Sequence, residues 1–125
     1  MVETGDMAAA RASHDDFLRF ALAFPEAWQD MPWDGDVVAK VGKKIFVFFG
    51  SGEDPTVGVK LPQSAEQALL SEAVTPTGYG LGKWGWVTVR LAAPDAPERG
   101  VVEDWIEESY RAVAPKKLVA RLDER

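Results

Sequence analysis

The 125-residue chain has no cysteine and a single histidine, His14. Without thiols there is no disulfide framework, no thiolate metal site and no cysteine nucleophile. His14 stands beside Asp15 and Asp16 at the start of a predicted helix, where a solvated surface role is expected. A Ser-His-Asp triad would have to use it, and the sequence places no serine nucleophile beside it. No stretch approaches the ~18 uninterrupted apolar residues of a membrane helix. The start, "MVETGDMAAARASHDD", lacks both a basic segment and a long apolar one, so no membrane association and a cytoplasmic location are expected. Bases are scarce as well. Fourteen Lys and Arg against 20 Asp and Glu leave a net charge of -6, which disfavours indiscriminate binding to phosphate backbones.

What is present describes one ordinary globular domain. Apolar residues make up 46% and charged residues 27% of the chain, and the length suits a single core. Residues 1–12 read as a flexible, Ala-rich tail and 13–125 as the domain. The charge is unevenly spread. Residues 1–35 hold seven acids against two bases, and 98–110 five against one; residues 36–61 and 111–125 are net basic.

Ser13 with Asp16 resembles a capping box, and the apolar stripe after it predicts a helix over 14–23. "FPEAWQDMPWDGD" reads as a loop because of Pro25, Pro32 and Gly35, although Trp28, Met31 and Trp33 are too apolar to be left in water. "DVVAKV", "KIFVFF" and "TVGVKL" follow with short connections and predict an antiparallel meander. "KIFVFF", apolar on both faces, fits a central strand. Ser64 with Gln67 opens a short helix ending by Ala73. "VTPTGYGLGK" is a loop, and "WGWVTVRL" alternates as another strand. Asp95, as N-cap, opens a long helix to Val113, and "KKLVARL" adds a last one. This pattern specifies an α+β domain with helices packed on one face of an antiparallel sheet.

Period two places Trp84, Trp86, Thr88 and Arg90 on one face of "WGWVTVRL", with Gly85, Val87, Val89 and Leu91 on the other. Gly85 would then allow a helix to approach closely, or mark a bulge. The expected strand register adds Lys40, Lys60 and one of Phe46 or Phe48 to the tryptophan face. Cations and flat rings there could bind an anionic aromatic ligand or a single-stranded base; equally, the lysine and arginine stems could simply cover the aromatics of a solvent-facing sheet. Trp86 is expected to be more buried than Trp84, which adjoins the glycine-rich loop. Ser109 and Tyr110 fall on the buried stripe of the long helix, where their hydroxyls need partners, structural or ligand. The glycines of "GYGLGKWG" precede a strand instead of following one, unlike a phosphate loop. "EDWIEES" reads as a solvated helix face. No paired-carboxylate or other catalytic site is identified, and no metal or cofactor is implied.

The landmarks "LAFPEA", "MPW", "AKVGKKIFVFF", "GVKL", "GYGLGKWGWVTV" and "ESYRAV", in this order from about Phe17 to Val119, resemble the MmcQ/YjbR family of small bacterial proteins. The resemblance implies a fold similar to the frataxin-like (CyaY-like) or double-wing arrangement and carries a DNA-binding label that rests on fold analogy. It marks Trp33, Lys40, Lys60, Lys83, Trp86, Ser109 and Tyr110 as family landmarks. The family often has "PWG" where this chain has Pro32, Trp33, Asp34 and Gly35, and histidines where it has Gly80 and Gly85, so a mechanism needing those imidazoles is absent.

The leading expectation is a monomeric, non-enzymatic binding module that takes nucleic acid or an anionic small molecule on this face, through Trp33, Lys40, Lys60, Lys83, Trp84, Trp86, Arg90, Ser109 and Tyr110. The alternatives are a purely structural or interaction protein, or an enzyme for a small anionic substrate with Lys60 or Lys83 as electrophile or base and Tyr110 as proton donor. A third possibility, implied only by the resemblance to the frataxin-like fold, is metal handling by the acidic first segment with Glu3, Asp6, Asp15 and Asp16, for which a flexible acidic tail is the simpler reading.

Overall fold

The computed structural model describes residues 2–33, 36–50, 54–78 and 80–124, with side chains from residue 9 onward apart from that of Trp33. Helix α1 (Val2–Leu22) leads into β1 (Ala27–Trp33), β2 (Asp36–Val41), β3 (Lys44–Gly50) and β4 (Thr56–Lys60). Then come α2 (Ala65–Ala68), β5 (Val74–Pro76), a 3-10 turn (Leu81–Trp84), β6 (Trp86–Arg90), α3 (Arg99–Val113) and α4 (Lys116–Asp123). The strands form one antiparallel sheet in the order β1-β2-β3-β4-β6-β5. Phe17 and Ala21 of α1, Val102, Ile106 and Tyr110 of α3, and Leu118 of α4 share a core with Ala39, Val47, Phe49, Val57, Val59, Val87 and Val89 of the sheet. The expected α+β architecture, with helices on one sheet face, is the one observed.

Four local expectations change. Helix α1 begins at Val2, so it includes most of the residues expected as a tail, and Ser13 lies inside it instead of capping it. His14 consequently falls on the same stripe as Phe17 and Ala21 and is half-buried, its ring edge-on to Phe49 at 5.5 Å. The segment expected as a loop before β2 is the edge strand β1, where proline is tolerated because one side of the strand has no ladder to satisfy. Its Trp28 and Met31 are 44% and 57% exposed, not withdrawn from water. The loop after α2 contains β5, a short strand on the opposite edge.

The expected caps are also reassigned. Ser64 precedes α2 but makes no side-chain cap bond; instead Glu108 of α3 accepts from Gln63 N–H (3.0 Å), Ser64 N–H (3.1 Å) and the Ser64 hydroxyl (2.6 Å). Asp95 lies outside α3, whose cap position is Glu98. Its carboxylate accepts from Glu72 N–H at 3.0 Å and so ties the turn after α2 to the segment before α3.

β3 holds the deviation that most affects the site. Ala39 pairs with Val47 and Lys40 with Ile45, so Phe46 is an extra residue, a β-bulge. Phe46 and Val47 are both fully buried as a result, which accounts for the two-sided apolar look of this strand. The β3–β4 pairing stops at Val47 and Val59. Where its next rung would fall, the Ser109 hydroxyl from α3 accepts from Lys60 N–H (2.8 Å) and donates to the Phe46 carbonyl (2.5 Å).

Candidate functional site on the outer sheet face

The register confirms much of the expected face. Lys60 pairs with Trp86, Gly58 with Phe48 and Thr88, and Thr56 with Gly50 and Arg90. Lys40 lies on the same side, across β3, with Trp28 as its partner on β1. Phe48, not Phe46, is the phenylalanine of this face, and its ring meets that of Trp86 edge-on at 5.2 Å.

Trp84 does not share the strand phase of Trp86. It ends the 3-10 turn, and Gly85 follows with φ +92°, a left-handed conformation that resets the direction of the chain. The close approach permitted by Gly85 is to the end of β4 and not to a helix: Leu61 N–H donates to the Gly85 carbonyl at 2.8 Å, and a Cβ on Gly85 would sit 3.2 Å from the Leu61 carbonyl oxygen. Trp86 is 9% exposed and Trp84 64%, the expected ranking.

The cations of this face are not equivalent. Lys40 forms a 2.8 Å ion pair with Asp30 and lies over the Trp28 ring at 5.1 Å. The hydrogen bond from Lys40, joined by one from Met31 N–H, holds the Asp30 carboxyl below the usual carboxylate range. Arg90 is paired with Asp54 at 2.8 Å. Lys83, on the exposed turn, lies over Trp84 at 5.6 Å. Lys60 is half-buried and has no carboxylate within ion-pair distance among the described residues.

Beside the Phe48–Trp86 pair the face is hollowed into a trough of about 630 Å³. It exists because Gly50 and Gly58 put no side chains on the middle of the sheet. A Cβ at Gly58 would lie 3.3 Å from the Phe48 Cβ, and one at Gly50 would collide with the Thr56 hydroxyl. Phe48 and Leu81 supply apolar walls, Thr56, Thr77 and Thr88 supply hydroxyls, and Asp36 stands at one end. The Thr77 and Thr88 hydroxyls are 3.0 Å apart and share one hydrogen bond. Gly58 was visible in the sequence as a glycine interrupting "TVGVKL", but only the register shows that it faces Phe48 and Thr88.

Ser109 and Tyr110 are not on this face. Both are fully buried beneath the sheet, Ser109 bonded as described and Tyr110 donating to the Pro25 carbonyl at 2.7 Å while packing on Phe24 and Phe46. The sheet therefore stands between Tyr110 and Lys60, and the expected proton donor and lysine are not brought together. Trp33 ends β1, but its side chain lies outside those described, as do those of Glu3 and Asp6. Asp16 is engaged by Arg19 and Arg99, and no three metal-ligating side chains converge among the described residues. His14 is not the solvated surface residue that its acidic neighbours suggest. Its Nε2 is buried without a hydrogen-bond partner, and burial lowers its pKa from the ordinary value. No helix among the described residues is long and apolar enough to cross a membrane.

No curated protein is significantly similar to this chain. Among solved structures, the crystal structure of a protein from Pseudomonas syringae, determined by the Northeast Structural Genomics Consortium, resembles it with a TM-score of 0.64 at 18% identity, covering 79% of this chain and 97% of its own. Similarity at that identity speaks to the fold alone. The sequence profile of the YjbR family matches residues 22–112, from the end of α1 into the last turn of α3, and the chain belongs to that family.

Proposed function

We propose that this protein is a monomeric, cytoplasmic binding module for a small, flat, nucleotide-like anion, held on the outer face of the sheet. The observation that carries the reading is the glycine-floored trough on the sheet face that also carries Lys60, a half-buried cation without an acidic partner among the described residues. A ring laid over Gly58 would contact Phe48 and Leu81, with its polar edge toward the Thr77 and Thr88 hydroxyls. Lys60, two residues along the same face of β4 and so ~7 Å from Gly58, would take the anionic arm. Asp36, the cross-strand partner of Gly50 at the other end of the floor, suits an amino group on the ring.

Single nucleotides suit this site better than an extended nucleic acid. Two of the cations expected to track a phosphate backbone, Lys40 and Arg90, are already paired with Asp30 and Asp54, and the net charge of -6 opposes the approach of a polyanion. Isothermal titration with nucleoside monophosphates, the matching nucleosides and a short single-stranded oligonucleotide tests the reading. Monophosphates should bind more tightly than nucleosides, Lys60→Gln should erase that difference, and Gly58→Val should abolish binding of both. Absence of heat from every monophosphate at millimolar concentration would refute it.

A further inference from the structure

A second surface, independent of the trough, lies where α2 and its following turn meet the start of α3. There a groove of about 300 Å³ runs between Ala68 and Ser71 on one wall and Val101 and Trp105 on the other, with Pro97 at its side. Val101, on the α3 wall, is 40% exposed, and Leu69 and Leu70, in the turn that carries Ala68 and Ser71, are 38% and 84% exposed, so half of the large apolar side chains left in water among the described residues lie on or next to the segments that form the groove. Patches of this kind mark interaction sites. The groove is also preformed. Asp95 holds its two walls together through Glu72 N–H and the Ser71 hydroxyl.

Charge identifies the partner. From Leu61 to Gly82, and again from Leu91 to Glu98, the chain has no lysine, arginine or histidine, while it carries Glu66, Glu72, Asp95 and Glu98, all exposed. Arg99, the cation that follows Glu98, does not line the groove and is paired with Asp16 (2.8 Å) and Glu103 (3.6 Å). An apolar furrow lined by Asp95, between segments whose charged residues are all acidic, complements an apolar ridge flanked by cations and disfavours a second copy of itself. The chain's own basic helix, α4, cannot supply that ridge from another copy, because its Leu118 is buried in the core. Val101 and Trp105 stand one helical turn apart, a ridge against which another helix packs.

We propose that this groove docks a basic amphipathic helical segment of another protein, two to three turns long, with leucine-like residues at i, i+3 or i+4 and i+7 and lysine or arginine beside them. A groove of only about 300 Å³ implies a weak, reversible complex.

Fluorescence anisotropy with a labelled helical peptide carrying leucines at that spacing and lysines on its flanks tests the proposal. Two control peptides replace the lysines by glutamate or the leucines by serine. Both controls should bind at least tenfold more weakly. Leu70→Ser with Val101→Ser should weaken the parent peptide by about tenfold, and Glu66→Gln with Glu72→Gln by several-fold, with circular dichroism and melting temperature unchanged because all four side chains are exposed. Gly58→Val, on the other face, should have no effect. Equal binding to wild type and to the Leu70→Ser, Val101→Ser variant would reduce the effect to general charge attraction and overturn the proposal. So would failure of the parent peptide to bind, or sedimentation showing a dimer that these two substitutions dissociate.

Discussion

Replacing Ser109 by alanine removes one oxygen and should leave two backbone groups without partners. The bulge at Phe46 ends the β3–β4 ladder one rung early, and the Ser109 hydroxyl fills the gap by accepting from Lys60 N–H and donating to the Phe46 carbonyl. The residue is fully buried, so water does not substitute without local opening. Each orphaned buried polar group costs about 1–3 kcal/mol, and the methyl that remains fills nearly the same space. Ser109→Ala should therefore cost about 2–4 kcal/mol, a large share of the roughly 5–15 kcal/mol that holds a domain of this size, and lower the melting temperature by roughly 10 °C. Equilibrium urea unfolding measures the loss, and amide hydrogen exchange localises it. The Lys60 amide should exchange much faster, while amides in β2 change only as far as global stability does. A loss under about 1 kcal/mol with Lys60 protection intact would mean that the hydroxyl does not serve as a rung.

Trp86→Ala should cost about 3–5 kcal/mol, since the indole is nearly buried against Phe48, and Trp84→Ala under about 1 kcal/mol; equal losses in urea would refute the assignment of the two rings. Tyr110→Phe keeps the ring packing but leaves the Pro25 carbonyl without its donor, so calorimetry should show a loss of about 1–2 kcal/mol, and an unchanged melting temperature would count against that bond. The His14 pKa is lowered in the fold from its ordinary 6.5. The unfolded chain thus takes up the proton first, so the contribution is fully present above 6.5 and is lost as pH falls toward the folded value. Urea midpoints should drop between pH 7.5 and 5 in the wild type and stay flatter in His14→Gln; identical slopes would exclude His14 as the source.

Elements whose side chains keep a regular period could be read from the sequence. β2, β4 and α3 alternate or repeat cleanly, and the placement of Lys60 with Trp86 and Thr88 follows from that alternation. β1 was hidden because Pro32 reads as a breaker, and whether a strand lies at an edge is a property of the sheet, not of its own residues. Trp84 was assigned to the wrong phase because a glycine with positive φ is indistinguishable in sequence from one in a strand. Ser64 and Asp95 look like caps, yet the distant Glu108 satisfies the N–H groups at α2, and Asp95 spends its carboxylate on Glu72. The trough was beyond sequence reasoning for a similar reason: it is made by what glycines omit, and only the pairing of β3 with β4 brings the omissions at Gly50 and Gly58 together.

Strand β1 also bears on how the protein behaves in concentrated solution. An open sheet edge is a template onto which any extended chain can add, including another copy of this one. Pro32 has no N–H to offer, and the Met31 N–H is capped by the carboxylate of its neighbour Asp30 at 2.8 Å, which is itself anchored by Lys40. Near the end of this strand one donor is thus absent and its neighbour already engaged, which leaves an added strand less to pair with, while Met31 stays in water. The proline that disguises this strand in the sequence also removes one of the donors on which an added strand could build.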